Sequence, residues 1–233
     1  MDRAPSPAKL VGWHGKLPTV GDFATRRLDP AFVSVWDDWL SQGLAKFRAQ
    51  DESHWVDAYL ASPTWRFFIT PGFLPEPLHR QAWAGIVMPS MDRVGRYYPL
   101  TIATRLENLP SDNASQASIW TWLHRIDDAA VDALQEDWSI DALEAELARI
   151  GAPNQQAHGL AGLANMNAPA FIVNFFTAGN AATMPGAQGA QGVQGGQGGH
   201  RGGCIWRSEA GLLPAREFQS FARDDSILTL WRA

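Results

Sequence analysis

The sequence predicts a mixed α/β domain of the α+β type, with a largely antiparallel sheet covered by helices. Three observations carry this expectation. Three β-rich runs, TWRFFIT at 64–70, AWAGIVMP at 82–89 and YPLTIATRL at 98–106, follow one another with links that favour neighbouring antiparallel strands. Helical patterns flank them: Phe32, Val35, Trp36, Trp39, Leu40, Leu44 and Phe47 recur at three-four spacing, as do Ile119, Leu123, Ile126, Ala130 and Leu134. A chain of 233 residues also hides roughly 70–75% of its unfolded surface, enough for one large core without disulfides or metals.

The elements follow in order. Residues 1–8, with their Pro and Ser, form a frayed tail, and 9–233 form one domain. KLVGWHGKLP at 9–18 alternates as a first strand and stops at Pro18. Gly21-Asp22 makes a turn, and Asp29-Pro30 supplies a cap and a first helical residue. A short helix is expected over 54–61, and Ser139 or Asp141 caps another, DALEAELARI, which Gly151 and Pro153 close. PAFIVNFF at 169–176 and CIWRS at 204–208 are expected as adjacent strands, with LPAREFQSF as a closing helix. Between them GAQGAQGVQGGQGGHRGG at 186–203 repeats Gly-x-Gln without proline, which fits a flexible loop rather than collagen. As a coil it reaches roughly 23–25 Å, and loop closure costs little more as length grows.

Composition excludes several functions. The net charge of −5 comes with scattered Lys and Arg, so no basic stripe points to nucleic acid. The most apolar run, 169–176, is interrupted by Asn174 and falls short of a membrane span. The N-terminus lacks the apolar stretch of an export signal, and Cys204 is alone; both point to the cytoplasm. Tryptophan is abundant, with 11 in the chain. Each buried indole N–H needs a partner, so some of these rings are expected at half-wet margins or contact surfaces.

Catalytic signatures are missing from the sequence. There is no G-x-S-x-G elbow and no phosphate-cradling G-x-x-x-x-G-K-[ST]. The six histidines, at 14, 54, 79, 124, 158 and 200, never fall within four residues of one another, so no local metal-binding spacing arises. Neither a cofactor nor a metal is expected.

Two stretches remain, GWHGKLPTVGDFATRRL at 12–28 and MPSMDRVGRYYPLTIATRL at 88–106. Each places Gly, Asp and Arg in one loop. As plain turns, Asp92 forms an Asx-turn, Gly95 takes positive φ, and the arginines reach into water. As a functional cluster, Arg93 and Arg96 offer forked donors to an anion, with Asp22 and Asp92 orienting them.

The motifs GWHGKLPTVGDFATRRLDPAFVSVWDDWL at 12–40, SPTWRFFITPG at 62–72 and MPSMDRVGRYYPLTIA at 88–103, with a weaker echo in CIWRSEAGLLP at 204–214, resemble the TagF (ImpM) family. The sequence departs from the family's pattern at Trp206-Arg207, where paired tryptophans are expected, and in its Gly-Gln loop. The resemblance implies a longin-like sandwich and a non-enzymatic cytosolic protein of Gram-negative bacteria. It implies post-translational repression of type VI secretion through a forkhead-associated scaffold protein, alongside a Thr kinase and phosphatase pair. The partner-binding set is then Trp13, Lys16, Asp22, Arg26, Asp92, Arg93, Arg96 and Tyr97. The alternative is a small enzyme or ligand-binding module for an anionic or phosphorylated substrate at Asp22, Asp92, Arg93 and Arg96. A third reading makes both motifs determinants of the fold only.

Overall fold

The computed structural model describes residues 11–62, 64–69, 74–108 and 113–153, together with the backbone of two strands at 203–207 and 219–220. Strands β1 (Gly12–Gly15) and β2 (Ala24–Arg26) form a hairpin that leads into helices α1 (Pro30–Gln50) and α2 (Trp55–Leu60). Strands β3 (Trp65–Ile69), β4 (Ala82–Met88) and β5 (Leu100–Leu106) then form an antiparallel meander. Helices α3 (Asn113–Gln135) and α4 (Ile140–Ile150) follow, and β6 (Gly203–Arg207) and β7 (Gln219–Ser220) complete the described elements. The sheet order is β2-β1-β5-β4-β3-β6-β7, with every pairing antiparallel. The predicted α+β class therefore holds.

Strand alternation divides the core into two layers. Trp13, Phe68, Ala84, Ile86, Leu100 and Ile102 pack with Leu123, Ile126 and Ala130 of α3 and Leu143 and Leu147 of α4. On the opposite face Phe67, Trp83, Val87 and Ala103 meet Phe32, Trp36 and Leu40 of α1 and Tyr59 of α2. The Phe32 and Trp83 rings stack at 4.0 Å, and Trp36 Nε1 donates to Thr101 Oγ1 at 2.8 Å. Helix boundaries follow their local chemistry. Asp29 Oδ1 accepts from Ala31 N at 2.8 Å ahead of Pro30, and Ser139 Oγ caps α4 through Ala142 N. Gly151, at φ +66°, ends α4 and bonds back to the Leu147 carbonyl.

The C-terminal part corrects one expectation. Strand β6 pairs with β3 on one side and with β7 on the other. The segment expected as a closing helix contains β7 at its end. Residues 1–8, 169–176 and most of the Gly-Gln stretch lie outside the described residues; Gly203, expected in that loop, already belongs to β6. The short strand β2 was not predicted. Its three residues are too few to show a period.

The tryptophans divide between core and half-wet margins, as expected. Of the nine whose side chains are described, Trp13, Trp36, Trp65, Trp83, Trp120 and Trp122 are buried, and Trp39, Trp55 and Trp138 are half-buried. The six buried rings stabilise the two core layers. Trp122 Nε1 reaches the Gly151 carbonyl at 2.8 Å, while Trp83 Nε1 has no partner among the described residues.

One charged group lies inside the α3-facing layer. Arg66, 2% exposed, donates from Nη2 to Asp127 Oδ2 at 2.6 Å and to His124 Nδ1 at 2.9 Å. Removing one partner of a buried pair strands the other, so Asp127→Ala should lower the unfolding free energy by about 3–5 kcal/mol. Replacing Arg66 and Asp127 together with Met and Leu should cost less; urea denaturation of both variants checks this.

His124 adds a pH dependence. Burial, reinforced by the Arg66 charge, lowers its pKa to about 4. The unfolded imidazole binds a proton below about 6.5, whereas the folded one resists it down to about 4. Stability is therefore fully retained above the upper value and declines as pH falls through that window. His124→Gln should flatten the curve between these limits, measured as the wild-type-minus-variant difference in unfolding free energy against pH.

Candidate functional site

The two Gly-Asp-Arg segments meet at one end of the sheet. Strand β1 lies between β2 and β5, so the loop after β1 and the loop before β5 leave the sheet side by side. Gly15 makes this approach feasible. At φ +135° its Cα faces the Pro99 carbonyl so closely that an added Cβ would sit 2.1 Å from that oxygen. Met91 and Tyr97 then pair as an isolated bridge, and residues 92–96 form the tip of a small hairpin.

Asp92 holds this tip together. Its side chain is fully buried, and its two oxygens accept four hydrogen bonds. Oδ1 takes the backbone N–H groups of Val94 at 3.1 Å and Arg96 at 2.9 Å. Oδ2 takes Lys16 Nζ at 2.8 Å and Arg96 Nε at 2.7 Å. Burial by itself would raise the Asp92 pKa, but the Lys16 hydrogen bond and those from Arg96 and Val94 outweigh it. The carboxyl is held well below its usual range.

Further bonds tie the loops to each other and to both core layers. Arg93 N donates to the Val20 carbonyl at 3.0 Å, and Arg96 Nη2 reaches the Gly21 carbonyl at 2.5 Å. Ser90 Oγ donates to the Lys16 carbonyl at 2.7 Å, while Ser90 N donates to Tyr59 Oη at 2.8 Å. Tyr98 Oη donates to Asp37 Oδ1 of α1 at 2.5 Å, and Thr19 Oγ1 to the Trp138 carbonyl at 2.7 Å. The result is a rigid rim anchored to helices on both faces of the sheet.

Each sequence-predicted residue has a definite place. Asp22, Arg26 and Arg93 are exposed, and Tyr97 is half-buried against Trp55 and Tyr59. Asp92 and Lys16 form the buried ion pair, and Lys16 also lies 4.8 Å from the Phe23 ring centre. Trp13 was expected to face a partner, but it is completely buried, with its Nε1 donating to Glu144 of α4. Lys16, 4% exposed, is likewise part of the interior. Trp13 is buried because α3 and α4 cover its side of β1, and Lys16 is buried by its bond to Asp92 and by the Phe23 ring.

Asp22, Asp92, Arg93 and Arg96 do not form one polar site. Asp22 accepts from its neighbour Phe23 N at 2.8 Å, and no hydrogen bond joins it to Asp92 among the described residues. All the acceptor geometry of Asp92 is directed at the protein itself. Beside the exposed Asp22, Arg26, Arg93 and Arg96, the rim also presents apolar side chains outward. Among the described residues the exposed large hydrophobics are Phe23 at 46%, Met91 at 37%, Val94 at 64% and Leu60, and three of these four stand on the rim. Phe23 is propped against Tyr98 at 4.8 Å between ring centres. Sequence reasoning missed this apolar crest because single apolar residues in polar loops give no periodic signal. Their one signal was position within the two motifs.

The family described as the TagF N-terminal domain, type VI secretion system-associated, matches residues 12–150. This chain belongs to the TagF family. The match runs from β1 to the end of α4 and contains the whole rim. A solved structure, PA0076 from Pseudomonas aeruginosa PAO1, is similar at 38% identity and a TM-score of 0.53. The similarity covers 62% of this chain and 64% of that one. Comparison with curated proteins gave no match.

The Asp92 knot predicts a specific failure. Asp92→Ala should lower the melting temperature and deprotect the Val94 and Arg96 amides in hydrogen exchange, with β3 and β4 still protected. Because the folded carboxyl has a depressed pKa, its contribution is present above the ordinary carboxylate range and is lost as pH falls below it.

Proposed function

We propose that this protein regulates type VI secretion by docking, and that the rim formed by residues 18–27 and 90–98 is the docking surface. Membership of a type VI secretion system-associated family supports the cellular setting. The observation that carries the docking reading is the rigid rim itself, with Phe23, Met91 and Val94 exposed on a scaffold held by the buried Asp92. Exposed apolar side chains beside arginine are the usual material of an interface centre, and a surface already ordered loses less entropy on binding.

The partner we assign is the forkhead-associated scaffold protein of the secretion system, and the effect is repression after translation, in the cytoplasm, alongside a Thr kinase and phosphatase pair. Binding, not turnover, is the activity. The occupied Asp92 carboxylate favours this over proton transfer or ligand capture at the rim. Among the described residues no helix is long and apolar enough to cross a membrane.

The test must use residues that do not hold the fold. Arg96 is bonded to Asp92 and Gly21, so Arg96→Glu would disturb the rim itself. Val94→Asp and Arg93→Glu change exposed side chains. Each should weaken binding to the purified scaffold by about tenfold or more with an unchanged melting temperature, measured by calorimetry. Undiminished binding by both variants would remove the rim from the interface.

A further inference from the structure

Beside the rim, the hairpin forms one wall of a groove of about 610 Å³. Its other wall is α1, where Leu44, Ala45, Arg48 and Ala49 recur at helical spacing and so lie on one stripe, with Glu52 just past the helix end. Small residues keep the walls apart. Ala45 and Ala49 are both exposed, and opposite them Gly95 has open space where a side chain would be. Of the groove's three aromatic residues, Trp55 and Tyr97 pack edge to face at 5.5 Å and are half-buried, while Tyr98 is buried.

The charges in the groove have a pattern. Arg48 lies over the Trp55 ring at 5.6 Å and makes no ion pair among the described residues. Arg96 lines the opposite wall. Asp92 and the Gly21 carbonyl hold its Nε and Nη2, and its Nη1 makes no hydrogen bond among the described residues. Glu52 is the one carboxylate in the lining. A protein with a net charge of −5 thus places two guanidiniums across an aromatic cleft from each other. Guanidinium forks bind carboxylates in a directed way, and flat rings accept an apolar side chain at low entropic cost.

We propose that this groove receives an extended acidic segment of a partner protein, with an apolar side chain on Trp55 and Tyr97 and a carboxylate between Arg48 and Arg96. The inference rests on the docking reading for the occupant being a protein, and Arg96 belongs to both surfaces. It adds the chemistry of the recognised segment, which the rim alone does not define.

The probe is a short fluorescein-labelled peptide with a central Trp flanked by Glu, compared with the same peptide carrying Lys in place of Glu. Anisotropy should show saturable binding of the Glu peptide only. Ala45→Trp, which fills the groove from an exposed helical position, and Arg48→Glu should each weaken it by about tenfold or more at unchanged melting temperature. Equal binding of the Lys peptide, no saturable binding of either, or full binding by both variants would overturn the proposal. The scaffold titration with Val94→Asp reads the rim separately. If the scaffold binds and responds to Val94→Asp while the Glu peptide fails, the groove is wrong and the docking reading stands. If the Glu peptide binds selectively and no scaffold binds, the groove's chemistry stands and the named partner is wrong.

Discussion

The structure at the end of the sheet depends on one buried carboxylate. Asp92 joins two segments that are 76 residues apart in sequence through Lys16. A buried ion pair is a poor source of stability when its remaining hydrogen-bonding capacity is unmet. Here the geometry meets it, because two backbone amides and the Arg96 guanidinium complete the set. Lys16 directly follows β1 and precedes the buried Leu17. The ion pair therefore specifies geometry more than it adds cohesion.

That geometry extends into both core layers. Ser90, next to the hairpin, bonds to the Lys16 carbonyl and to Tyr59 of α2, while Tyr98 reaches Asp37 of α1. Thr19 on the other loop reaches the turn between α3 and α4. A loop region anchored to helices on both faces of a sheet has few independent motions left. This is why Phe23, Met91 and Val94 can stand exposed without collapsing onto the nearest apolar surface. The backbone beneath them is fixed by polar bonds that point the other way.

The layered architecture was legible because it follows periodicity. The three-four spacing of α1 and α3, the caps at Asp29 and Ser139, and the runs of β3, β4 and β5 are all local signals. The meeting of the two Gly-Asp-Arg segments was legible through motif chemistry. Their internal roles were not. Nothing in GWHGKLP separates a Trp13 that packs beneath α4 from one that faces a partner, since that depends on which side of β1 the last helices cover. Lys16 looked like a surface cation for the same reason. Its partner lies in a hairpin whose register is fixed by β5, a contact that sequence spacing does not encode. The pairing of β6 with β3, far back in the chain, was not legible, because strand neighbours so distant in sequence leave no local signal.

The same distinction bears on what the rim can do. A catalytic or anion-binding centre needs polar groups with unmet capacity that converge on one point. At the rim the polar groups converge, but on each other, and the groups left facing outward are apolar side chains and separate arginines. An arrangement of this kind has its polar bonding inside and its unfilled contact capacity outside. That division suits recognition of another surface: the interior bonds hold shape while the exposed side chains supply contact. The groove beyond Arg96 extends the same logic, because Gly95 and the alanines of α1 leave room that the fold itself does not fill.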